Sequence, residues 1–175
     1  MTLQCLAIII SIRKDRNELD YIDNNILFKL IKITGMLQLT ISGDSMIPSL
    51  YEGDLVDVVV QNSYCVGDIL VFKYGENRIV AHRLLKRSEK LYCKGDNSFL
   101  LEHVKISDVL GKITSIHRGG NVFKPLKFDE ELINLSYVIS KEFRLCGYNK
   151  KILSQKDMYV KYRSKLYVTE KKTNG

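Results

Sequence analysis

The sequence has few of the features by which small proteins bind metals or form redox centres. Its 175 residues contain only four cysteines and three histidines. The cysteines (Cys5, Cys65, Cys93 and Cys146) are widely spread and form no C-x-x-C pair, which argues against a zinc site and fits a reducing compartment. Because no two histidines have the spacing of metal ligands, we expect neither a catalytic metal nor a cofactor.

A long hydrophobic run is missing as well. The longest uncharged segment, residues 1–12, is followed by Arg13 and Lys14 and is far shorter than the ~20 apolar residues of a spanning helix. It has neither a basic start nor a small-residue cleavage site, so it is a poor secretory signal. The apolar stretch 27–41 is interrupted by Lys29 and Lys32. We therefore expect a cytoplasmic protein without an integral membrane segment, with at most peripheral membrane contact.

What the sequence does have is an uneven distribution of charge. The net charge is +7, from 27 basic and 20 acidic residues. Residues 141–175 hold ten of the basic and three of the acidic residues, which leaves the first 140 residues balanced. A basic segment of this kind can contact an anionic surface, either lipid or nucleic acid, or an acidic peptide. The alternative is a solvated helical face, and the sequence leaves both open.

Hydrophobic periodicity divides the chain into three parts, residues 1–36, 37–120 and 121–175. In the first part, residues 17–34 predict an amphipathic helix with Asn17 as its N-cap and Gly35 as its stop. The apolar stripe of this helix, which we expect to face the core, consists of Leu19, Ile22, Ile26, Leu30 and Ile33. The last part returns to helical spacing over residues 128–170. One face there carries Leu132, Leu135, Ile139 and Phe143.

The middle part predicts a small β domain. Short β-rich runs alternate with turn residues between about residues 37 and 119, and no helical pattern intervenes. The predicted strands are 36–41, 54–60, 68–74, 78–86, 90–94 and 109–117. Short strands at close spacing favour a small coiled or barrel-like sheet. The predicted fold class is therefore mainly β, with an N-terminal helix and a basic, helical C-terminal extension.

Ser45 is the candidate nucleophile. It lies in Gly43-Asp44-Ser45-Met46-Ile47-Pro48, where Gly43 permits a sharp turn and Pro48 rigidifies the exit. Such a turn can present the Ser45 hydroxyl and direct backbone N–H groups, those of Asp44 and Ser45, at a developing oxyanion. The alternative is an ordinary capped turn before a short helix.

A serine hydroxyl needs a base to take its proton, and two candidates lie on one predicted strand. Period-two alternation places His82 and Lys86 on the same face of the run 78–86. An imidazole has an ordinary pKa of ~6.5 and needs no shift to act near neutrality, whereas a lysine must first be desolvated. An imidazole also needs a carboxylate to fix its tautomer. Asp96, in a Gly-Asp-Asn turn, is the first candidate, and Glu102 is the second.

In this order, the motifs resemble those of the signal peptidase I superfamily, the S24- and S26-type serine peptidases that also include self-cleaving SOS repressors. Residues 43–50 with Gly53-Asp54 resemble the nucleophile box, and residues 66–72 resemble the strand that follows. Residues 80–84 resemble the general-base box, 94–97 the last box and 109–113 the closing strand. Histidine at the base position is similar to the endoplasmic-reticulum and archaeal signal peptidases, since bacterial enzymes and SOS repressors have lysine. The resemblance covers about residues 38–117.

The resemblance implies a role for each candidate. Ser45 would attack the scissile carbonyl, and His82 would act as general base and then as general acid. Asp96 or Glu102 would orient His82; the last box of the family often carries a further Asp, and the nearby carboxylate here is Glu102. Most signal peptidases carry a membrane anchor, and we expect no counterpart of it here.

The resemblance also bears on the oxyanion hole. Bacterial enzymes often have a hydroxyl two residues before the nucleophile, and Gly43 stands at that position here. The oxyanion hole would therefore be formed by the backbone amides of Asp44 and Ser45.

Two functions are compatible with these motifs. The first is a serine endopeptidase that removes a leader or signal-like segment from a precursor peptide or protein. The substrate would bind as an added β-strand, with small residues near the scissile bond. The second is a self-cleaving or non-enzymatic regulatory protein on the same fold. A DNA-binding form needs a helix-turn-helix, and the roughly 35 residues before residue 37 offer one helix. Histidine instead of lysine at position 82 also favours the first function.

Overall fold

The computed structural model describes residues 9–11, 24–75 and 78–174. Within these residues the chain forms strands and helices in an order that separates a β-rich first part from a helical end. The strands are β1 (Ile9–Ser11), β2 (Met36–Thr40), β3 (Leu55–Val59), β4 (Ile69–Tyr74), β5 (Arg78–Arg87), β6 (Leu91–Lys94), β7 (Glu102–Val104), β8 (Val109–Arg118) and β9 (Asn121–Phe123). The helices are α1 (Asn24–Thr34), α2 (Glu130–Leu145), α3 (Lys150–Ser154) and α4 (Asp157–Asn174).

The strands form one curled sheet. Its order is β1-β2-β3-β8-β4-β5-β6-β7, and β9 pairs with β8. The pairing of β1 with β2 is parallel, and the other pairings are antiparallel. Irregularities interrupt the register between β3 and β8, β4 and β8, and β5 and β6. Bulges of this kind bend a strand and increase its twist, so the sheet curves into a half-barrel and confirms the predicted mainly β fold.

The six predicted strands correspond to β2 through β6 and β8, and each end agrees within one residue. The three-residue strands β1, β7 and β9 were not predicted, because segments this short carry too little alternation to stand out from the turns around them. The sheet also continues past the predicted boundary at residue 120, since β9 pairs with β8.

Helix α1 covers one face of the sheet, although not with the predicted stripe. Its buried side chains are Leu27 and Ile31, and the predicted Leu30 packs partly buried against the same core, whereas Ile26 and Ile33 are exposed. Ile26 and Ile33 were wrongly placed because apolar residues cover a broad arc of this helix, so periodicity alone is compatible with more than one buried face. Gly35, at φ 74°, turns the chain directly from α1 into β2, and this connection determines which face of the helix is buried. The predicted N-cap Asn17 and the stripe residues Leu19 and Ile22 lie outside the described residues.

The C-terminal helices form a separate apolar cluster beside the sheet. Leu132, Ile139 and Phe143 of α2 are buried in it, as predicted, and Leu135 is partly buried. Asp129 caps α2 by accepting a hydrogen bond from the Leu132 amide at 2.8 Å. The helices meet the sheet domain at Phe99, since its ring lies 5.1 Å from that of Phe143. No helix among the described residues is both long and apolar enough to span a membrane.

Candidate active site

The turn that carries Ser45, residues 43–50, is called the nucleophile turn below, and its own apolar side chains hold it in place. Gly43 adopts φ 85°, in the left-handed region that favours glycine. The side chains of Met46 and Leu50 are buried in the core under the sheet, and the Leu50 amide donates to the Met46 carbonyl at 3.0 Å. Ser45 lies between these anchors and remains partly exposed. The segment is therefore a tight, partly helical turn that leaves the Ser45 hydroxyl accessible.

His82 faces this turn from the middle of β5. Its Nε2 atom lies 3.1 Å from Ser45 Oγ, within hydrogen-bond reach. The imidazole is 6% exposed, and its ring meets the edge of Phe72 at a centroid distance of 6.3 Å. The structure therefore brings together the predicted nucleophile and the predicted base, which are separated by 37 residues of sequence.

Glu102, the first residue of β7, completes the arrangement. Its Oε2 atom lies 2.9 Å from His82 Nδ1, and its side chain is 10% exposed. An ionised carboxylate can only accept hydrogen bonds, so His82 Nδ1 carries the proton and donates it. In the neutral imidazole, Nε2 is then left as an acceptor for the Ser45 hydroxyl. Glu102 thus selects the tautomer in which His82 can take a proton from Ser45.

Asp96, the first candidate for this position, has a different partner. Its carboxylate accepts from Arg83 Nε at 2.9 Å and from Arg83 Nη2 at 2.7 Å, and from Ser49 Oγ at 2.5 Å. The reason lies in the alternation of β5, because neighbouring residues of a strand point to opposite faces. His82 points towards Glu102, and Arg83 points towards Asp96. In the structure, the carboxylate in contact with His82 is thus that of Glu102, the second candidate, and not that of Asp96, the first.

Arg83 is completely buried, and all five of its N–H donors are used. Besides the bonds to Asp96, Nη1 donates to the carbonyls of Gly67 and Leu126, and Nη2 donates to Ser49 Oγ. The sequence analysis missed this role, although Arg83 directly follows the predicted base. The available signal was the position of Arg83 among the apolar residues of a predicted strand, because a charged side chain that is buried in a strand requires a partner.

Lys86, the rival base, does not reach the nucleophile. Its side chain is exposed, and its Nζ atom lies 5.8 Å from the ring centroids of both Tyr92 and Tyr137. Among residues 24–75 and 78–174, the side chain that is hydrogen-bonded to Ser45 Oγ is that of His82 and not that of Lys86.

A second lysine, Lys94, is buried next to the site and was not predicted. Its Nζ atom donates to the Gly95 carbonyl at 2.9 Å. Burial lowers the pKa of Lys94 to about 8, against the opposing effect of the carboxylates of Asp96 and Glu102. The amine of Lys94 is therefore electrostatically coupled to both carboxylates of the site.

Gly95 allows the turn 94–97 to pack directly under the Ser45–His82 pair. A Cβ atom at this position would lie 2.5 Å from the Ser45 carbonyl oxygen and 2.9 Å from His82 Nε2. Both distances are shorter than van der Waals contact, and neither neighbour is the free end of a flexible side chain. Only glycine fits here without moving the nucleophile turn away from the base.

Replacing Gly95 with alanine is therefore expected to lower kcat/KM by roughly 100-fold, because a displacement of about 1 Å at reacting groups has this effect. Gly111→Ala is the matched control, since its Cβ would lie 2.6 Å from the Val59 carbonyl, away from the site. Both variants should lose about 1–3 kcal/mol of unfolding free energy. Peptide cleavage and urea denaturation measure the two effects. Equal loss of activity in both variants would contradict the special role of Gly95.

A groove of about 150 Å³, lined by both apolar and polar residues, leads to Ser45. It runs between the end of β2 and the first half of β5, and its walls are lined by Leu39, Thr40, Ile41, Ser42, Gly43, Ser45, Met46, Val56, Val71, Ile79, Val80 and Ala81. β6 pairs with β5 only from Arg83 onwards. Within the described residues, the edge of β5 before Arg83 therefore has no strand partner on that side.

The predicted oxyanion donors lie on the nucleophile turn. Among the hydrogen bonds of the described residues, neither the Asp44 nor the Ser45 amide is a donor. Their carbonyls are both held by Asn97: its Nδ2 donates to the Asp44 carbonyl at 3.1 Å, and its amide donates to the Ser45 carbonyl at 2.8 Å. The sequence analysis quoted Asn97 as part of a motif but assigned it no role.

The curled β-sheet thus presents a hydrogen-bonded Ser–His–Glu chain beside the groove, and this arrangement is similar to that of a catalytic triad. The described residues contain no group of three or more His, Cys, Asp or Glu side chains suited to a metal ion. The chain matches the family described as Peptidase S24-like over residues 15–114 and belongs to that family. None of the curated proteins compared with the chain is significantly similar to it.

Proposed function

We propose that this protein is a serine endopeptidase that cleaves a leader or signal-like segment from a precursor peptide or protein. The observation that carries the proposal is the continuous hydrogen-bonded chain from Ser45 Oγ through His82 to Glu102. In this proposal Ser45 is the nucleophile, His82 is the base, and Glu102 orients His82. The endoplasmic-reticulum and archaeal signal peptidases use histidine as the base, and the mechanism proposed for this protein is the same.

The reaction proceeds in two halves. Ser45 Oγ bonds to the carbonyl carbon of the scissile peptide while its proton passes to His82 Nε2. Glu102 stabilises the imidazolium, and the Ser45 amide donates to the oxyanion. His82 then protonates the leaving amine as the C–N bond breaks, which leaves an ester on Ser45. A water molecule then attacks the ester while it loses a proton to His82. His82 returns a proton to Ser45 Oγ as the bond between the carbonyl carbon and Oγ breaks, which releases the acid and restores the Ser45 hydroxyl.

The groove supports a substrate bound in extended form. The unpaired edge of β5 offers main-chain hydrogen bonds to an added strand. The apolar walls offer contact for alternate side chains of that strand. Because about 150 Å³ is below the ~300–1,000 Å³ of pockets for drug-sized ligands, small apolar side chains next to the scissile bond fit best.

Self-processing is the second candidate function. The family includes self-cleaving repressors. In addition, β1 pairs in parallel with β2, where Ser11 lies opposite Thr40, a residue of the groove wall. A segment of the chain itself thus runs along a strand that borders the groove.

Incubation of a diverse peptide library with the wild-type protein and with Ser45→Ala tests both functions by mass spectrometry. We expect cleavage by the wild type alone, with small apolar residues preferred before the scissile bond, and no cleavage by His82→Ala. Shortening of the wild-type chain itself, absent in Ser45→Ala, would identify self-processing instead. If neither the peptides nor the chain were cleaved, the peptidase proposal would be overturned.

A further inference from the structure

Helix α4 lies outside the segment that matches the peptidase family, which ends at residue 114. Yet two consecutive residues of this helix contact the turn 94–97 of the active site. Tyr162 donates its hydroxyl to the Asp96 carbonyl at 2.8 Å. Arg163 Nη1 donates to Asn97 Oδ1 at 2.7 Å. The extension therefore bonds to two neighbouring residues of the turn that packs under Ser45 and His82.

The contact made by Tyr162 is a buried one. Its side chain is 1% exposed, and burial raises the pKa of the Tyr162 hydroxyl well above its ordinary value. Lys94 Nζ lies 5.3 Å from the centre of the Tyr162 ring. Tyr162 thus packs against the turn 94–97 on its buried side and shields the side chain of Lys94 from water.

The contact made by Arg163 determines how Asn97 is oriented. A guanidinium only donates hydrogen bonds, so the side-chain oxygen of Asn97 must face Arg163. Asn97 Nδ2 is then directed at the Asp44 carbonyl, which it contacts at 3.1 Å. In the reverse orientation, the Asn97 NH₂ group would face the guanidinium and the Asn97 oxygen would face the Asp44 carbonyl. Arg163 and the Asp44 carbonyl therefore both favour the observed orientation.

The orientation of Asn97 fixes the Ser45 amide in turn. The C=O and N–H groups of one trans peptide lie in a plane and point in opposite directions. Asn97 holds the Asp44 carbonyl together with the Ile47 amide, which donates to it at 3.2 Å. The Ser45 N–H in the same peptide therefore points away from Asn97. A chain of contacts therefore runs from Arg163 through Asn97 to the amide that the proposed mechanism uses in the oxyanion hole.

We infer that helix α4 is a functional part of the active site, in which Arg163 acts as a positioning residue for the Ser45 amide through Asn97. The inference rests on the proposed peptidase function for its catalytic consequence. The C-terminal extension therefore packs against the sheet domain and also helps to position the Ser45 amide in the oxyanion hole. A second contact anchors the same helix to the other side of the nucleophile turn, since the Tyr51 hydroxyl donates to Glu170 Oε1 at 2.7 Å.

Arg163→Met tests this inference because it removes the guanidinium and keeps an apolar stem. Lys161→Met is the matched control, since it removes one positive charge from the same helix, at an exposed pair with Glu131. An oxyanion donor acts in the transition state and not in substrate binding. We therefore expect kcat to fall roughly 10- to 100-fold in Arg163→Met with KM unchanged, partial recovery in Arg163→Lys, and no change in Lys161→Met.

The amide resonance of Ser45 in two-dimensional nitrogen–proton NMR spectra provides a readout that does not depend on catalysis. It should shift in Arg163→Met and stay in place in Lys161→Met. Wild-type kcat in Arg163→Met, or an unmoved Ser45 resonance, would overturn the inference. If the wild type cleaved nothing while the resonance shifted as expected, the positioning contact would stand and the peptidase proposal would fail.

Discussion

Replacing Glu102 with glutamine is expected to lower kcat by roughly 10⁴-fold, the loss that the corresponding carboxylate-to-amide change causes in a serine-protease triad. Glutamine can turn its NH₂ group towards His82 Nδ1, which then accepts instead of donating. The proton moves to Nε2, and the imidazole can no longer accept the proton of Ser45. Single-turnover kinetics on a cleaved library peptide would measure the effect, and the fold should remain unchanged.

The chain offers a matched control for this experiment. His117 Nε2 lies 2.9 Å from Asp57 Oδ2, so a second histidine–carboxylate pair exists away from Ser45. Asp57→Asn should leave kcat unchanged. Full activity in Glu102→Gln together with loss of activity in Asp96→Asn would show that Asp96 orients His82 after all, and that the observed contact of Glu102 is not the functional one.

Removing the Asp96 carboxylate should instead act on stability. Asp96→Ala leaves the charge of Arg83 buried without its counter-ion, and breaking a buried pair in this way costs about 3–5 kcal/mol. Both side chains of the pair are 0% exposed, so water cannot replace the lost carboxylate. Urea denaturation should show this loss as a lower midpoint with an unchanged slope.

An exposed ion pair provides the comparison. Glu131 pairs with both Lys161 and Lys165 on the surface of the C-terminal helices, and Glu131→Ala should cost about 1 kcal/mol or less. The double variant Asp96→Ala with Arg83→Met should lose less stability than the sum of the two single changes, because the two side chains share one network. If Asp96→Ala were as stable as the wild type but inactive, the carboxylate would have a catalytic role and not a structural one.

The strands could be predicted closely because the turns between them are marked by glycine and by turn-forming polar residues. Gly53-Asp54 and Gly67-Asp68 directly precede β3 and β4, so each strand had a sharp start in the sequence. The phase of α1 could not be predicted in this way, because Leu27 and Ile31 compete with Ile26 and Ile33 for the same core. The neighbouring strand decides which pair is buried, and periodicity within the helix carries no information about that strand.

The candidate site likewise has one part that could be predicted from the sequence and one part that could not. Ser45 and His82 could be identified from the sequence as candidate nucleophile and candidate base, because a hydroxyl in a glycine-containing turn and an imidazole on a strand have recognisable local patterns. Which carboxylate meets His82 depends on strand pairing: β7 brings Glu102 beside Cys93 of β6, while the alternation of β5 turns Arg83 towards Asp96. The contacts of Tyr162 and Arg163 likewise depend on how α4 packs. Tertiary structure alone decided these points, because hydrogen bonds between residues far apart in the chain leave no periodic signal in the sequence.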